Sequence, residues 1–578
     1  MAFDGIVLSA AVWEINGLLA GGRIERVFQT GKNEITLLCH SHSEKYRVSI
    51  SAAAENAGIH LTQVKKENPL IAPPFAMVLR KHIQNGKIIS LEQVGYDRIA
   101  ILTVETHNEM GDIVNKKLIM EIMGKYSNII LTSENGTIFD SIKRVDEDMS
   151  SVREIMPGRI YTLPPKQDKL LPEEVIDFTE NGEIAVSKAI LNTVSGFSPQ
   201  LSKAVCRKAK VHHNKLCSDI TNEERNEIKT ALLDVCHDIC DKKFYPAIIE
   251  DKDFHCMAVV SENIGKIQKF NTVNLMLDSF YTQKDSSDRF NQKKNSLLKH
   301  INAATEKCRK KMQIHESTMC ESEDFEKYKE FGELITSNMY KYPEFADEVK
   351  AINYYDENMP EVTISLDKNK SVSQNAQIFF KKYRKNKTAY ESAEKYLTED
   401  MEEMDYLESI KAMMDNNVLI EELDEIKAEL IQEGYLKPEK QNKKNPKKIE
   451  ATMSFAPYEY TTEEGYTILI GRNNLQNEKL TCKMAKAEDM WFHVKNAPGS
   501  HVILKTSDHE GQVTAKSVFC AASLAAWYSS VRQTSKIDVD YTRVKHVRKQ
   551  PGGRPGMVNY VNYKTITVPP NENPEALK

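Results

Sequence analysis

The sequence lacks the features that mark secreted and membrane proteins. Nowhere in its 578 residues do roughly 18 apolar residues follow one another without interruption, the length that a membrane helix needs. The N-terminal segment carries Asp4 and Glu14 among its apolar residues and has no basic region before them, so it does not have the pattern of a signal peptide. We expect a cytoplasmic protein that does not insert into a membrane.

Paired cysteines are also missing. The ten cysteines stand singly along the chain, as in proteins of a reducing compartment. The tightest group, Cys236, His237 and Cys240, offers three ligands on one predicted helix, whereas a structural zinc site uses four. We therefore predict neither a disulfide nor a metal site.

Familiar catalytic motifs are absent as well. The sequence contains no P-loop and no G-x-S-x-G nucleophile motif,. The glycine pairs Gly21–Gly22 and Gly552–Gly553 lack the strand and helix of a dinucleotide-binding turn,. The sequence therefore predicts no catalytic residue and no cofactor.

What the sequence does have is charge in separate blocks. The formal net charge is only −5, yet residues 284–311 hold nine Lys and Arg against three acids. Residues 543–554 hold five Lys and Arg without an acid, and residues 381–387 read KKYRKNK. The fifteen acids and four bases of residues 386–434 hide these basic stripes in the total. Each stripe is either a solvated face or a contact to nucleic-acid phosphates.

Hydrophobic periodicity changes along the chain, which predicts an α+β multidomain protein. Residues 1–172 alternate short β-rich runs with turns and form a mainly β domain,. Residues 173–270 are mainly helical, and there Gly196 ends one helix while Ser198 and Pro199 begin the next,. This segment resembles a helix-hairpin-helix unit, whose helix N-terminus suits a phosphate, but a simple αα corner explains it equally well.

Residues 271–435 show three-four apolar spacing in two stretches, about 282–345 and 372–434. The spacing predicts an antiparallel coiled-coil arm with a small tip element, with a compact helical bundle as the alternative. The apolar seam consists of Leu297, Ile301, Ala304, Cys308, Tyr328, Phe331, Ile335, Leu419, Leu423, Ile426 and Leu430.

The remaining chain consists of a linker and a further domain. Residues 436–450 are rich in lysine and proline and poor in hydrophobic residues, which predicts a basic linker,. Residues 451–578 place strand-like runs on both sides of one helical run, which predicts a small αβ domain,.

Nine segments stand out along the chain. They are FDG at Phe3, LLAGGRIERVFQ at Leu18, PPFAMVLRKHI at Pro73, GYDR at Gly95, LIMEIMGKYSNIIL at Leu118, LDSFYTQKDSSDRFNQKK at Leu277, NAQIFFKKYRKNK at Asn375, GRNNLQNEKLT at Gly471 and DMWFHVKNAPGSHV at Asp489. In this order they resemble the NFACT family, whose bacterial members and eukaryotic counterpart act in ribosome quality control.

The resemblance implies four domains: NFACT-N with a core like that of formamidopyrimidine glycosylases, a helix-hairpin-helix domain, a coiled-coil arm and NFACT-R. It implies a monomer that binds large ribosomal subunits, through their rRNA, when peptidyl-tRNA obstructs them. Such a protein recruits tRNA, chiefly alanyl-tRNA, and promotes alanine tailing that marks the nascent chain for degradation. The ribosome supplies the peptidyl-transfer chemistry, so the chain is not expected to be an enzyme.

Asp97 and Arg98 are the first candidate site residues. They precede the apolar run RIAILTV, where side chains can leave the edge of a β domain. An arginine there can fork onto a phosphate or a base edge, and the carboxylate can accept from an exocyclic amine or orient the arginine. A turn-capping aspartate beside a surface arginine is the bland alternative. The resemblance implies that this pair recognises tRNA.

The resemblance ties a second segment, Glu121, Ile122, Met123 and Lys125, to the same tRNA-binding surface. A glutamate between apolar residues either faces solvent or bonds a specific partner, because burying a bare carboxylate is costly. Ile122 and Met123 also fit ordinary core packing. Lys125 is at best an ordinary phosphate contact.

In the C-terminal domain the candidates surround a strand, a turn and another strand. Two histidines and a serine suggest a hydrolase or a metal site, but no carboxylate or cysteine stands at ligand spacing beside them. We predict an RNA-binding surface instead, although Trp491 fits a structural role equally well. The candidates are Arg472, Trp491, His493, Lys495, Ser500, His501, Lys545 and Arg548.

Two other function classes are weighed against RNA binding. A surface fibronectin-binding adhesin is disfavoured by the unpaired cysteines and by the N-terminal pattern. A DNA glycosylase of the formamidopyrimidine class uses an N-terminal proline and a four-cysteine finger, whereas Ala2 and Phe3 stand here and no such finger exists. A catalytically dead, glycosylase-like nucleic-acid-binding protein remains the alternative.

Overall fold

The computed structural model describes residues 3–571, except for 67, 70, 151–152, 166–167, 179–181, 262–264, 417–418, 439–455 and 508–512. The chain divides into two compact units, residues 1–287 and 288–578. From residue 439 on, the predicted linker 436–450 lies outside the described residues. Each helix that the structure describes is too short or too polar to span a bilayer.

The first unit contains a nine-stranded antiparallel sheet, which confirms the β-rich character predicted for its sequence. Buried and partly exposed side chains alternate from Ala100 to Thr106, as expected for a strand with one face in the core. The strands are β1 Arg23–Gly31, β2 Glu34–Ser41, β3 Glu44–Ser51, β4 Gly58–Leu61, β5 Lys87–Gln93, β6 Ile99–His107, β7 Ile113–Glu121, β8 Asn128–Ser133 and β9 Ile138–Ser141. Their order across the sheet is β4-β3-β2-β1-β5-β6-β7-β8-β9.

Two helices pack with this sheet, α1 Gly5–Leu19 and α2 Pro74–Ile83. Helix α1 is mostly apolar, and ten of its fifteen residues are buried. The Asp4 carboxylate begins it by accepting hydrogen bonds from the amides of Ile6 and Val7, as an N-cap residue does.

The rest of the first unit is mainly helical. The predicted helix boundary is confirmed: Gly196 has φ +84°, Ser198 accepts from the Leu201 amide, and Pro199 is the first residue of the next helix. The elements are α3 Val186–Thr193, α4 Pro199–Lys208, α5 Asn222–Cys240, β10 Ala247–Ile249, β11 Asp253–His255, α6 Ala258–Ser261 and β12 Ile267–Lys269.

Long helices begin the second unit. They are α7 Val273–Ser322, whose residues up to 287 belong to the first unit, α8 Phe325–Asn338, α9 Val372–Asn416 and α10 Ile420–Gln432, with a hairpin of β13 Glu348–Ile352 and β14 Glu361–Ser365 between α8 and α9. Phe331 contacts Phe379, and Phe325 contacts Tyr383. As residue numbers increase along α8, those of the residues contacted on α9 decrease, so the two helices pair antiparallel as predicted.

The second predicted helical stretch is wrong in one respect, because it is not continuous. Helix α9 ends at Asn416 and α10 begins at Ile420. Leu419, predicted in the apolar seam, stands before α10 and is half exposed. The other predicted seam residues of α10 are buried in a cluster with Leu297 and Ile301 of α7 and Tyr406 of α9.

The C-terminal part of the second unit is an antiparallel sheet with a helix, α12 Ala515–Trp527, on one face. A second apolar cluster is formed by other residues of the same strands, among them Leu469, Trp491 and Ile503. The remaining elements are β15 Tyr458–Thr461, β16 Thr467–Ile470, α11 Asn474–Lys479, β17 Met490–Val494, β18 Val502–Leu504, β19 Ile537–Arg543, β20 Val547–Lys549, β21 Val558–Tyr560 and β22 Lys564–Val568. The sheet order is β15-β16-β18-β17-β19-β22, and β20 pairs with β21 apart from it.

Candidate RNA interface

Asp97 and Arg98 line a cavity of about 500 Å³ in the first unit, which we call the N-terminal cavity. Its walls come from the start of α1, the turn between β5 and β6, and the Gly196 turn that leads into α4. The residues that line it are Phe3, Asp4, Gly5, Val94, Gly95, Tyr96, Asp97, Arg98, Ile99, Leu163, Pro164, Lys169, Leu171, Ser195, Gly196, Phe197, Ser198 and Pro199.

The turn that carries the pair is held by hydrogen bonds. The Gln93 side-chain amide donates to the carbonyls of Gly5 and Asp97, both at 2.8 Å. The Asp97 carboxylate accepts from the Arg98 amide at 2.7 Å. Both side chains are half-buried, so the predicted turn-capping role and a part in lining the cavity occur together.

The backbones of the other two walls, the start of α1 and the Gly196 turn, lie close together. The Gly5 amide donates to the Gly196 carbonyl at 3.0 Å. A Cβ on Gly5 would stand 2.0 Å from the Tyr96 carbonyl oxygen and 2.6 Å from the Gly196 Cα. The FDG segment therefore needs glycine at this position, and the cavity depends on it.

The N-terminal cavity holds two cations, Arg98 and Lys169, two carboxylates, Asp4 and Asp97, and the N-terminus of α4. Burial lowers the pKa of Lys169, and the nearby Arg98 lowers it further, while Asp97 opposes both. Ser198, the N-cap of α4, also lines the cavity. Paired cations beside helix amides suit an anionic group such as a phosphate. Lys169 was not predicted, because a single lysine in a segment without a motif carries no signal.

The Asp4 carboxylate in the cavity wall is hydrogen-bonded within the protein. Burial alone would raise its pKa, but the hydrogen bond and charge of His255, 3.0 Å away, and the hydrogen bond from Ser198 outweigh burial and lower it. The carboxylate thus stays ionised and ties α1, α4 and β11 together.

The structure corrects the prediction for Glu121 and Ile122 in one respect. Both side chains are about 1% exposed, so neither can contact a ligand directly. The Glu121 carboxylate is paired with Arg153 at 2.5 and 2.6 Å and accepts from the Tyr161 hydroxyl at 2.7 Å. The Ile122 amide donates to the Arg98 carbonyl at 2.8 Å. The assignment of Glu121 and Ile122 to the tRNA-binding surface stays a prediction.

Met123 and Lys125 differ in exposure. Met123 is half-buried against the apolar cluster of Ile99 and Ile119. Lys125 is exposed, with its ammonium 4.8 Å from the centre of the Tyr126 ring. Their predicted contact with tRNA stays a prediction.

In the C-terminal domain, most of the predicted cluster is interior. Trp491, Ser500 and His501 are at most 3% exposed, and His493 is half-buried. The Trp491 ring stacks on His493 with 5.7 Å between ring centres and meets His501 edge-on at 5.3 Å. This corrects the prediction of an RNA-binding surface, because the three buried side chains cannot contact RNA directly.

Burial lowers the pKa values of His493 and His501 and so favours their neutral forms. Burial lowers the pKa of His501 to about 3, with a further contribution from His493, and burial lowers the pKa of His493 as well. The His501 Nδ1 atom shares a hydrogen bond with the Thr481 hydroxyl at 2.8 Å. Both rings are therefore neutral at pH 7.

The predicted basic residues of this domain differ in whether a carboxylate pairs with them. Arg472 lies 3.0 Å from Glu422 of α10 and over the Tyr458 ring, 4.1 Å from its centre. Lys545 lies 3.0 Å from Glu488. Lys495 and Arg548 are exposed. Arg472 thus holds α10, which corrects its prediction as an open RNA contact.

One metal-like group occurs among the described residues. A ligand atom of Cys308, Asp400 and Glu403 each lies within 4.8 Å of the others. The Lys311 ammonium lies 3.1 Å from Glu403 and 3.6 Å from Asp400, so a cation of the chain already balances the carboxylates. In the group Cys236, His237 and Cys240, for which no metal site was predicted, Cys236 is buried while His237 and Cys240 are exposed.

Comparisons with known proteins match most of the chain. The model of the NFACT N-terminal and middle domains matches residues 4–449, and that of the NFACT protein RNA binding domain matches residues 456–562. Rqc2 homolog RqcH of Bacillus subtilis is 34% identical over an alignment of 579 positions, which covers 99% of this chain and 98% of that protein. Rqc2 homolog RqcH of Streptococcus suis is 34% identical over 576 residues, 99% of both chains.

Solved structures match each half of the chain. The C-terminal part of the fibronectin/fibrinogen-binding protein from Streptococcus suis is 33% identical, with a TM-score of 0.40. It covers 50% of this chain and is itself covered to 99%. The N-terminal part of the same protein is 26% identical over 49% of this chain, with a TM-score of 0.41.

Proposed function

The chain belongs to the NFACT family, and from this membership we propose that it acts in ribosome quality control on the large ribosomal subunit. It binds subunits that peptidyl-tRNA obstructs, recruits a tRNA, and so promotes C-terminal tailing of the stalled nascent chain. Alanyl-tRNA is the proposed substrate of tailing. The ribosome carries out peptidyl transfer, and the chain works by binding and positioning in the cytoplasm.

The N-terminal cavity is the observation that carries the tRNA part of the proposal. It places Arg98 and Lys169 beside the N-terminus of α4. The Arg98 guanidinium can fork onto a phosphate or a base edge, and Asp97 can accept from an exocyclic amine or orient the arginine. Half-buried charges interact more strongly with a ligand than fully exposed ones, because water screens them less.

The cavity favours binding over glycosylase chemistry. Asp4, the acid nearest the chain start, caps α1 and is bonded to His255 and Ser198. Its lowered pKa suits a fixed structural anion rather than a proton donor. This arrangement supports a cleft that recognises nucleic acid without cutting it.

Pulldown of the tagged chain from its source cells, with sequencing of the bound RNA, tests the proposal. We expect large-subunit rRNA together with one dominant tRNA, and we expect both to be lost at high salt because phosphate contacts release counterions. Recovery of DNA, or of no RNA, would contradict the proposed function.

A further inference from the structure

A second cavity, of about 540 Å³, lies in the second unit between α9 and the C-terminal sheet; we call it the C-terminal cavity. Helix α9 contributes Glu402, Asp405, Tyr406 and Ser409 to its lining. Asn474, Asn477 and Gln550 contribute amides. The function proposed above does not use this cavity.

Aromatic rings form one part of its wall. Trp491, His493 and Tyr560 line it, and the Trp491 ring lies 4.8 Å from Tyr560 and 5.7 Å from His493, centre to centre. The half-buried rings of His493 and Tyr560 can stack on a nucleobase, whereas the fully buried Trp491 packs against both of them. The buried Trp491 indole N–H has no acceptor among the described residues, and leaving such a donor unpaired costs free energy.

The charge of the cavity argues against a phosphate as its occupant. Its lining includes the carboxylates of Glu402 and Asp405 but no lysine or arginine. Burial, and then the proximity of Glu402, raises the pKa of Asp405. His493 and His501 are neutral, so they do not offset these acids.

The shape and chemistry fit an uncharged, planar group that donates hydrogen bonds. Carboxylates accept from the amino groups of bases, cytosine N4 being one example, whereas uracil has a carbonyl at that position. The exposed Arg548 belongs to β20, two residues before Gln550 in the cavity lining. A phosphate could therefore be held outside while its base enters.

We propose that the C-terminal cavity binds a single unpaired, amino-bearing nucleobase of RNA, with Asp405 accepting from its amino group. This inference rests on the proposed function, since it names the ligand that the C-terminal domain takes. It adds recognition of one base by its amino group to a domain that was predicted only to bind RNA.

The test compares two single-stranded hexamers, oligocytidine and oligouridine, by fluorescence anisotropy with the full chain. To remove binding at the N-terminal cavity, Asp97 and Arg98 are replaced by alanine in every protein tested. We expect oligocytidine to bind tighter by roughly fivefold or more. Asp405→Asn keeps an oxygen acceptor but loses the charge that strengthens this hydrogen bond, so it should weaken oligocytidine binding toward the level of oligouridine and leave oligouridine unchanged.

The matched control is Glu399→Gln, an exposed acid on the same helix that does not line the cavity. Simple repulsion of RNA by acids predicts the opposite sign, that is, tighter binding of both hexamers by Asp405→Asn. That result, or equal binding of the two hexamers by the parent protein, would overturn the inference. Because Asp405 is exposed, its replacement should leave the thermal midpoint unchanged, which is measured alongside.

The two proposals can fail separately. Equal hexamer binding by a chain that still co-sediments with large subunits would remove the base site and leave the proposed function standing. A chain with the original Asp97 and Arg98 that does not co-sediment with large subunits would contradict the proposed function, whatever the hexamers show.

Discussion

The N-terminal and C-terminal cavities differ in charge. The first holds Arg98 and Lys169 beside a helix N-terminus, together with the carboxylates of Asp4 and Asp97, whereas the second holds Glu402 and Asp405 beside neutral rings and amides. Cations beside helix amides suit phosphates, and acids beside rings suit the edges and faces of bases. On our proposals, one chain meets RNA through both kinds of chemistry.

The candidate residues also sit differently in the two regions. Asp97 and Arg98 face a cavity while the paired Glu121 lies buried on the adjacent strand. Trp491 and His501 are themselves buried, and Arg472 and Lys545 are paired with carboxylates. Binding and stability should therefore separate at the first site and overlap at the second.

The largest expected effect is on Glu121. Glu121→Ala leaves the Arg153 guanidinium without its buried partner, and breaking such a pair costs about 3–5 kcal/mol of unfolding free energy. Denaturant unfolding measures the loss. Glu121→Gln keeps an oxygen acceptor and should cost less. If tRNA binding falls in Glu121→Ala while unfolding is unchanged, Glu121 acts as a contact and the structural account is wrong.

A smaller effect concerns pH and the C-terminal region. Burial lowers the pKa of His501 in the folded chain to about 3, against an ordinary value of 6.5. Between these two pH values His501 is protonated in the unfolded chain but neutral in the folded chain. The resulting stability is present above pH 6.5 and is lost as pH falls toward 3. At pH 5 the loss amounts to about 2 kcal/mol.

The control for this pH effect is His501→Gln. Glu429, buried and with its pKa raised to about 7 by burial, shifts stability in the opposite direction, so wild type and variant must be compared. The difference between their thermal midpoints should shrink from pH 7 to pH 5. If the difference in thermal midpoint is the same at both pH values, the pKa of His501 is not lowered in the folded chain.

The smallest expected effect separates exposed from paired cations in the C-terminal domain. If Arg548 contacts a phosphate, Arg548→Gln should lower the slope of log affinity against log salt by about 0.7–0.9. Lys545→Gln should change the slope less, because Glu488 already pairs with Lys545. Large-subunit binding at several salt concentrations measures both. Equal slopes in the two variants would remove the distinction between them.

Local patterns in the sequence predicted the local structure. Alternation in residues 99–107 predicts strand β6, and Ser198 with Pro199 predicts the start of α4. The DR pair at the start of a strand also lies where the sequence places it. Each of these features depends on neighbours within a few residues, so a single sequence records it.

Long-range partners of charged residues were not predictable. Glu422, Glu425 and Glu429 belong to an acid-rich run that suggests a solvated face, yet they are buried. Arg472, Asn473 and Asn474 donate to these three carboxylates from about fifty residues away in sequence. The GRNN motif is explained by this contact, which leaves no periodic signal in the chain.

The most direct test of the central claim is tRNA occupancy on large subunits with Asp97→Ala/Arg98→Ala. Loss of a forked arginine contact, worth about 1–3 kcal/mol, should weaken tRNA binding by roughly 5- to 150-fold. Co-sedimentation with large subunits and the thermal midpoint should stay close to those of the parent chain, and tailing should stop. Unchanged tRNA occupancy, or a loss that only accompanies melting of the protein, would contradict the assignment of this cavity to tRNA.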